Sequence, residues 1–77
     1  MNISIKYFGL IAEITQCEEE TINFSKGDLQ ELLDHLYSKY PGLLEKEFQV
    51  AQNQELISNK TILTGEELAF LPPFAGG

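Results

Sequence analysis

The stretch SKGDLQELLDHLYSKY, residues 25–40, decides the fold because it contains the clearest helical period of the chain. Ser25 is the predicted N-cap, with Asp28 three residues on forming a weak capping box, and Pro41-Gly42 ends the helix. Its apolar residues recur at the spacing of one buried helix face: Leu29, Leu32, Leu33, Leu36, Tyr37 and Tyr40. The opposite face is polar, so the pattern predicts one long amphipathic helix.

Two alternating segments precede this helix. Residues 2–8 place Ile3, Ile5 and Tyr7 on one side, which is typical of a half-buried strand. Phe8 falls on the polar side of that strand, where a large aromatic residue is unexpected. Residues 19–24 alternate again, and residues 9–16 between them form a short connector with one helical turn. We therefore expect two antiparallel strands before the helix.

Several short strands follow the helix. Residues 48–52 and 55–57 are predicted to pair through a tight turn at Asn53-Gln54. Residues 67–71 form a last strand, which Pro72 ends because proline has no N–H for the ladder. The order strand, strand, helix, strands predicts an α+β roll with the β-grasp fold, in which one main helix covers a mixed sheet and the last strand lies beside the first. We expect one domain over residues 1–77, with a flexible tail at residues 72–77.

Composition excludes several classes of function. The 77 residues carry a net charge of −7, so nucleic acid and anionic membranes are not expected partners. A protein with a basic surface fits better, although the charge also serves solubility alone. One cysteine and one histidine exclude a disulfide and a His/Cys metal site. No apolar run reaches the length of a membrane span or resembles a signal peptide, so a cytoplasmic protein is expected.

Side-chain catalysis finds little support in the sequence. Three glutamates, residues 18–20, follow Cys17, and their negative charge disfavours the reactive thiolate. We interpret this acidic run as the solvated entrance of a strand. His35 lies on the polar face of the helix and is interpreted as a surface residue.

The C-terminal stretch FLPPFAGG, residues 70–77, points to a different chemistry. Pro72-Pro73 projects the following residues away from the sheet, and Phe74 could anchor them in an apolar pocket. Gly76 and Gly77 have no Cβ and can enter a slot too narrow for other residues. The reactive group at the tip is the Gly77 carboxylate, which ATP could activate as an acyl-adenylate. A sulfur nucleophile would then give an acyl disulfide or, after reduction, a thiocarboxylate. The plain alternative is a frayed terminus.

Several motifs identify a resemblance over the whole chain. They are ISIKYF with GLIAE, KYPGL, VAQNQELIS and GEELAFLPPFAGG. In these the chain resembles the small subunits of molybdopterin synthase, a family of ubiquitin-like sulfur carriers. It departs from them at Gln52, where an apolar residue is usual.

The resemblance implies a specific role. An E1-like adenylating enzyme would activate Gly77 with Mg-ATP, and a sulfurtransferase would supply sulfur. The tail would insert into the large synthase subunit and donate sulfur to cyclic pyranopterin monophosphate, in an assembly of two small and two large subunits. The inserted residues would be Pro72, Pro73, Phe74, Ala75 and Gly76. Catalytic side chains would belong to the large subunit, and this chain would bind no cofactor.

A docking face is also predicted. Phe8 and Leu71 are apolar positions on the side of the sheet away from the predicted core. In the family, the positions matching Phe8, Leu56 and Leu71 contact the large subunit. The alternative is ordinary scattered surface residues.

Three other functions stay open on the sequence alone. One is a sulfur carrier for another pathway, such as thiazole biosynthesis. Another is a protein modifier that forms an isopeptide bond through Gly77. The last is a binding module in which the sheet face matters and the tail does not.

Overall fold

Five strands form one sheet, and the long helix packs across its inner face. The computed structural model describes residues 1–73. Its elements, in chain order, are β1 (Asn2–Tyr7), α1 (Leu10–Thr15), β2 (Glu19–Asn23), α2 (Leu29–Lys39), a 3₁₀ helix (Pro41–Glu45), β3 (Gln49–Gln52), β4 (Glu55–Leu56) and β5 (Leu68–Leu71). The strands lie in the order β2-β1-β5-β3-β4.

The sheet is mixed, and its centre joins the two ends of the described chain. β1 runs antiparallel to β2 and parallel to β5, while β3 runs antiparallel to both β5 and β4. A parallel pair needs a long crossover connection, which here contains α2. This is the β-grasp arrangement predicted from the order of the elements, and the predicted position of the last strand beside the first is confirmed.

The core lies between the inner face of the sheet and α2. Strand alternation sends every second residue of β1 inward, and the four leucines of α2 meet them. These strand and helix residues are buried: Ile3, Ile5, Tyr7, Leu29, Leu32, Leu33, Leu36, Val50, Leu68 and Phe70. The inward side of β1 and the buried stripe of α2 were both predicted, and Tyr37 and Tyr40 are half-buried at its end.

The start of α2 differs from the prediction. The N-cap is Asp28, whose carboxylate accepts a hydrogen bond from the Glu31 backbone N–H at 3.0 Å, so the assignment of Ser25 was wrong. The segment before Leu29 pairs with a distant loop: the Leu29 N–H donates to the Thr61 carbonyl and the Leu63 N–H donates to the Gly27 carbonyl. This long-range pairing keeps residues 25–28 out of the helix.

The connector between β1 and β2 contains more helix than expected. α1 has six residues and buries Ile11 and Thr15, which are four positions apart and therefore lie on one face. The Thr15 hydroxyl donates to the Ile11 carbonyl at 3.2 Å, which satisfies the polar atom of a buried side chain.

The hairpin between β3 and β4 agrees with its prediction. Asn53 and Gln54 both have positive φ, 52° and 68°, as in the tight hairpin turns that match strand twist. Leu56 then pairs with Ala51, which fixes the side of the sheet on which Leu56 lies.

Candidate functional site

An apolar row crosses the outer face of the sheet at the end where β5 leaves it. The strand register places Leu71 beside Gln49 and aligns Ala69 with Ala51, and Ala51 with Leu56. Phe8 follows β1 directly and is tied to β5, because its N–H donates to the Phe70 carbonyl at 3.1 Å. We call Phe8, Leu56, Ala69 and Leu71 the outer apolar row.

The members of this row differ in exposure. Leu56 is 62% exposed and Phe8 44%, whereas Leu71 and Ala69 are half-buried. Exposed large apolar side chains grouped on one face of a sheet are typical of an interaction surface. The structure therefore places Phe8, Leu56 and Leu71 on one surface, as their predicted role requires. Their contact with a partner remains a prediction.

The other half of the outer face is polar. The β1–β2 register places Asn2, Ser4, Thr21 and Asn23 on it, and pairs Lys6 with the exposed Glu19 on the same face. Between the halves, Lys6 Nζ lies 3.6 Å from a Glu67 carboxylate oxygen, and both side chains are about half exposed. A solvent-exposed pair of this kind adds little stability, but it places charge at the border of the apolar row. The arrangement is that of a small interface core with a polar rim.

The tail begins from a rigid root. Phe70 is fully buried and meets Tyr7 edge-on at 5.5 Å between ring centroids, while Phe48 stacks on it at 5.3 Å. Pro72 ends β5, as predicted, and Pro73 is half-buried beyond it. The aromatic contacts fix the position from which the chain leaves the sheet.

The remaining predicted tail residues lie outside the residues that the structure describes. They are Phe74, Ala75, Gly76 and Gly77. Their assigned roles, insertion for the first three and covalent chemistry for Gly77, stay predictions.

Glu20 corrects the interpretation of the acidic run. Glu18 and Glu19 are exposed, but Glu20 is partly buried on the inner side of β2. Its carboxylate accepts hydrogen bonds from the Tyr7 hydroxyl, from the Tyr40 hydroxyl at 2.8 Å and from Lys39 Nζ at 2.8 Å. The strand period already indicated this, because Glu20 has the same parity as the inward Ile22.

Electrostatics in this cluster follow from those contacts. Burial raises the pKa of the Glu20 carboxyl, but the hydrogen bonds from Lys39, Tyr7 and Tyr40 outweigh it and hold the pKa below its usual value. Burial, with the hydrogen bond to Glu20, raises the pKa of Tyr7 far above its ordinary value. Tyr7 therefore stays a hydrogen-bond donor at neutral pH, and the cluster ties β1, β2 and the end of α2 together.

The other titratable candidates stand apart from the outer apolar row. Cys17 is half-buried and His35 is exposed on α2. Within residues 1–73, no group of three His, Cys, Asp or Glu side chains is placed to hold a metal ion. Over the same range, no helix has the length and apolar character needed to cross a membrane.

The model of the ThiS family matches residues 5–77. The chain belongs to the ThiS family. A relative of this ThiS-family chain from Mycobacterium tuberculosis is named molybdopterin synthase sulfur carrier subunit; it is 36% identical, over all of this chain and 99% of its own length. A Drosophila sechellia protein of the same name is 31% identical, over all of this chain and 92% of its own length. The predicted family resemblance is confirmed.

Solved structures agree with the fold of this ThiS-family chain. A putative molybdopterin converting factor subunit 1 from Pyrococcus furiosus superposes with a TM-score of 0.88 at 19% identity, over 96% of this chain and 99% of that one. SAMP1 from Haloferax volcanii gives 0.81 at 22% identity, over the whole of both chains. At these identities the likeness shows the fold alone.

One solved structure of a relative is a complex. The complex of subunits 1 and 2 of molybdopterin-converting factor from Helicobacter pylori contains a chain with a TM-score of 0.69 and 31% identity to this one, over the whole of both chains. In that relative, a chain of this fold is therefore seen bound to a second subunit.

Proposed function

We propose that this chain is the small subunit of molybdopterin synthase and carries sulfur as a thiocarboxylate on Gly77. The observation that supports it best is the position of the outer apolar row beside the root of the tail. A partner that covers Phe8 and Leu71 lies next to the point where β5 ends at Pro72. Binding at this face would place the tail at the partner's active site.

The proposed loading chemistry uses only the terminal carboxylate of this chain. In an E1-like adenylating enzyme, a carboxylate oxygen of Gly77 attacks the α-phosphate of Mg-ATP and releases pyrophosphate. A persulfide of a sulfurtransferase then attacks the acyl carbon and displaces AMP, giving an acyl disulfide. A thiol then attacks the sulfurtransferase sulfur of that acyl disulfide, forming a new disulfide with it and releasing the thiocarboxylate. ATP and magnesium thus act at the activating enzyme.

The proposed transfer takes place in the large subunit. The tail residues Pro72 to Gly76 enter the active site, where the thiocarboxylate sulfur attacks an oxygen-bearing side-chain carbon of cyclic pyranopterin monophosphate. The C–O bond of that carbon breaks, and its oxygen leaves as water or stays on the phosphate. Water then hydrolyses the resulting thioester, so the carboxylate is regenerated and the sulfur stays on the pterin. Two carriers serve each dithiolene, consistent with an assembly of two small and two large subunits. Glycines at the tip suit this role because they present no side chain to a narrow channel.

The charge of the chain supports a protein partner of opposite sign. With twelve acidic and five basic residues, it is attracted to a basic surface and repelled by phosphate backbones. The apolar row would form the core of the interface, and charged residues around it would set orientation and encounter rate.

Intact-protein mass spectrometry of the full chain, purified from its own cells, tests the proposed chemistry. We expect a mass gain matching replacement of one oxygen by one sulfur, mapped by fragmentation to Gly77. The matched control is the chain lacking Gly76 and Gly77, which should show no gain. Only the free carboxylate, even after incubation with adenylating enzyme, ATP and a sulfur donor, would overturn the proposal.

A reconstituted assay assigns the pathway. The thiocarboxylated chain, mixed with the large subunit and cyclic pyranopterin monophosphate, should lose its sulfur as the dithiolene forms. Loss of sulfur only to a thiazole precursor would instead identify a carrier for that pathway. Gly77 linked to protein lysines would identify a modifier.

A further inference from the structure

A groove lies between α2 and the β3–β4 edge of the sheet, and Leu56 of the outer apolar row is among its lining residues. It encloses about 560 Å³. Its apolar walls come from the helix, the segment before β3 and the end of β4: Leu33, Tyr37, Phe48, Val50 and Ile57. Lys46, Glu47 and Asn59 also line it. Pro73 completes one rim.

We propose that this groove is a resting site for the Phe74 side chain of the same chain. In this state the start of the tail is held against the body of the carrier. The inference goes beyond the proposed function, because it concerns the carrier before any partner binds.

Chain connectivity supports Phe74 as the occupant. Pro73 already lines the groove, and the next Cα lies 3.8 Å further along the chain. The Phe74 ring can therefore reach the groove with no intervening residue. Among residues 74–77, the only other side chain is the methyl group of Ala75. Phe74 is thus the residue of this segment with apolar surface to bury.

The chemistry of the walls supports an aromatic guest. Phe48 stacks on the buried Phe70 and is itself half-buried, so part of its ring is left for another contact. Tyr37 is half-buried on the opposite wall, and burial together with the Asp34 carboxylate raises the pKa of its hydroxyl. A ring between them would extend the series of aromatic contacts that runs from Tyr7 through Phe70 to Phe48.

The groove and the outer apolar row meet at Leu56, which lines the first and belongs to the second. A partner that covers the row would therefore reach the rim of the groove, and insertion of the tail into that partner would require Phe74 to leave. A partner that binds only the released tail shifts this equilibrium by its differential affinity.

Nuclear magnetic resonance of the full chain tests the resting site directly. We expect nuclear Overhauser contacts from the Phe74 ring to the Ile57 methyl groups and the Tyr37 ring. Phe74→Ser should abolish them and shift the resonances of Tyr37, Phe48 and Ile57. Phe74→Leu, which keeps an apolar group, should preserve most of those shifts.

Two results would overturn the proposal. One is the absence of any contact between Phe74 and the groove. The other is a Phe74→Ser spectrum that changes only at residues 72–76, as the control Ala75→Ser is expected to change. Neither result affects the thiocarboxylate proposal, because sulfur loading is read at Gly77 by mass.

Discussion

At the scale of single residues, Glu20 has a structural role that its neighbours lack. Of three consecutive glutamates, only this one points inward, where two tyrosine hydroxyls and Lys39 donate to it. The alternation of residues along β2 indicates that the Glu20 side chain points inward. Its partners could not be predicted, because Tyr7 and Tyr40 reach it from different elements.

Glu20→Gln is expected to lower the free energy of unfolding by about 1–3 kcal/mol at pH 7, since a hydrogen bond to a charged group contributes roughly that much. The folded-state pKa of Glu20 is lowered. Its contribution is therefore complete above the unfolded carboxyl pKa, about 4.3, and is lost as pH falls through the folded value. Urea denaturation from pH 7 to pH 3 should show the difference between the two proteins shrinking toward acid.

Glu19→Gln is the matched control, because Glu19 is an exposed neighbour on the same strand. It should change stability little at any pH. A Glu20 effect equal to that of Glu19, or one that grows toward acid, would contradict the role given to the cluster.

Gln52, at the end of β3, uses both ends of its side-chain amide. Its side-chain amide accepts a hydrogen bond from the Thr64 N–H at 3.1 Å and donates to the Ile62 carbonyl at 3.5 Å. It therefore ties the loop before β5 to β3. These hydrogen bonds could not be predicted from the sequence, because they depend on where the loop before β5 lies in three dimensions.

At the scale of elements, the periodic parts of the chain could be predicted and the boundaries set by distant contacts could not. The stripe of α2 and the alternation of β1 each follow from local repetition. The start of α2 does not, because residues 59–63 pair with the segment before it. Ser25 and Asp28 are both good cap residues, and only that pairing selects between them.

Asp28→Ala is expected to destabilise the protein by about 0.5–2 kcal/mol, the usual loss for an N-cap side chain. Thermal or urea unfolding measures it. Ser25→Ala is the control; it removes the residue that sequence alone favoured and should have little effect. The reverse ranking would show that the helix begins at the earlier cap.

At the scale of the whole molecule, apolar side chains of similar exposure lie on different surfaces. Leu56 belongs to the outer apolar row at 62% exposed, whereas Leu44 is 66% exposed on the 3₁₀ helix. Sequence reasoning predicted three members of the row, Phe8, Leu56 and Leu71, but not Ala69. Their alignment follows from the strand pairing, because β4 pairs with β3 and β3 pairs with β5.

Leu56→Asp and Leu71→Asp are therefore expected to abolish binding to the large synthase subunit while leaving the fold intact. Calorimetric titration measures binding, and circular dichroism checks the fold. Leu44→Asp introduces the same charge at similar exposure and should bind like the original chain. Equal loss in all three variants would point to charge alone, and unchanged binding by Leu71→Asp would contradict the assignment of this face.

Because β1 pairs in parallel with β5, folding of the domain depends on a chain that is intact from β1 through β5. Ile5 pairs with Leu68 in the middle of the sheet, so a molecule cut anywhere before β5 loses its central strand. Such a fragment cannot bury Ile3 and Ile5, and it cannot align Phe8 with Leu71. We therefore expect a copy truncated before β5 to be unfolded, so that it would not compete with the intact carrier for a partner.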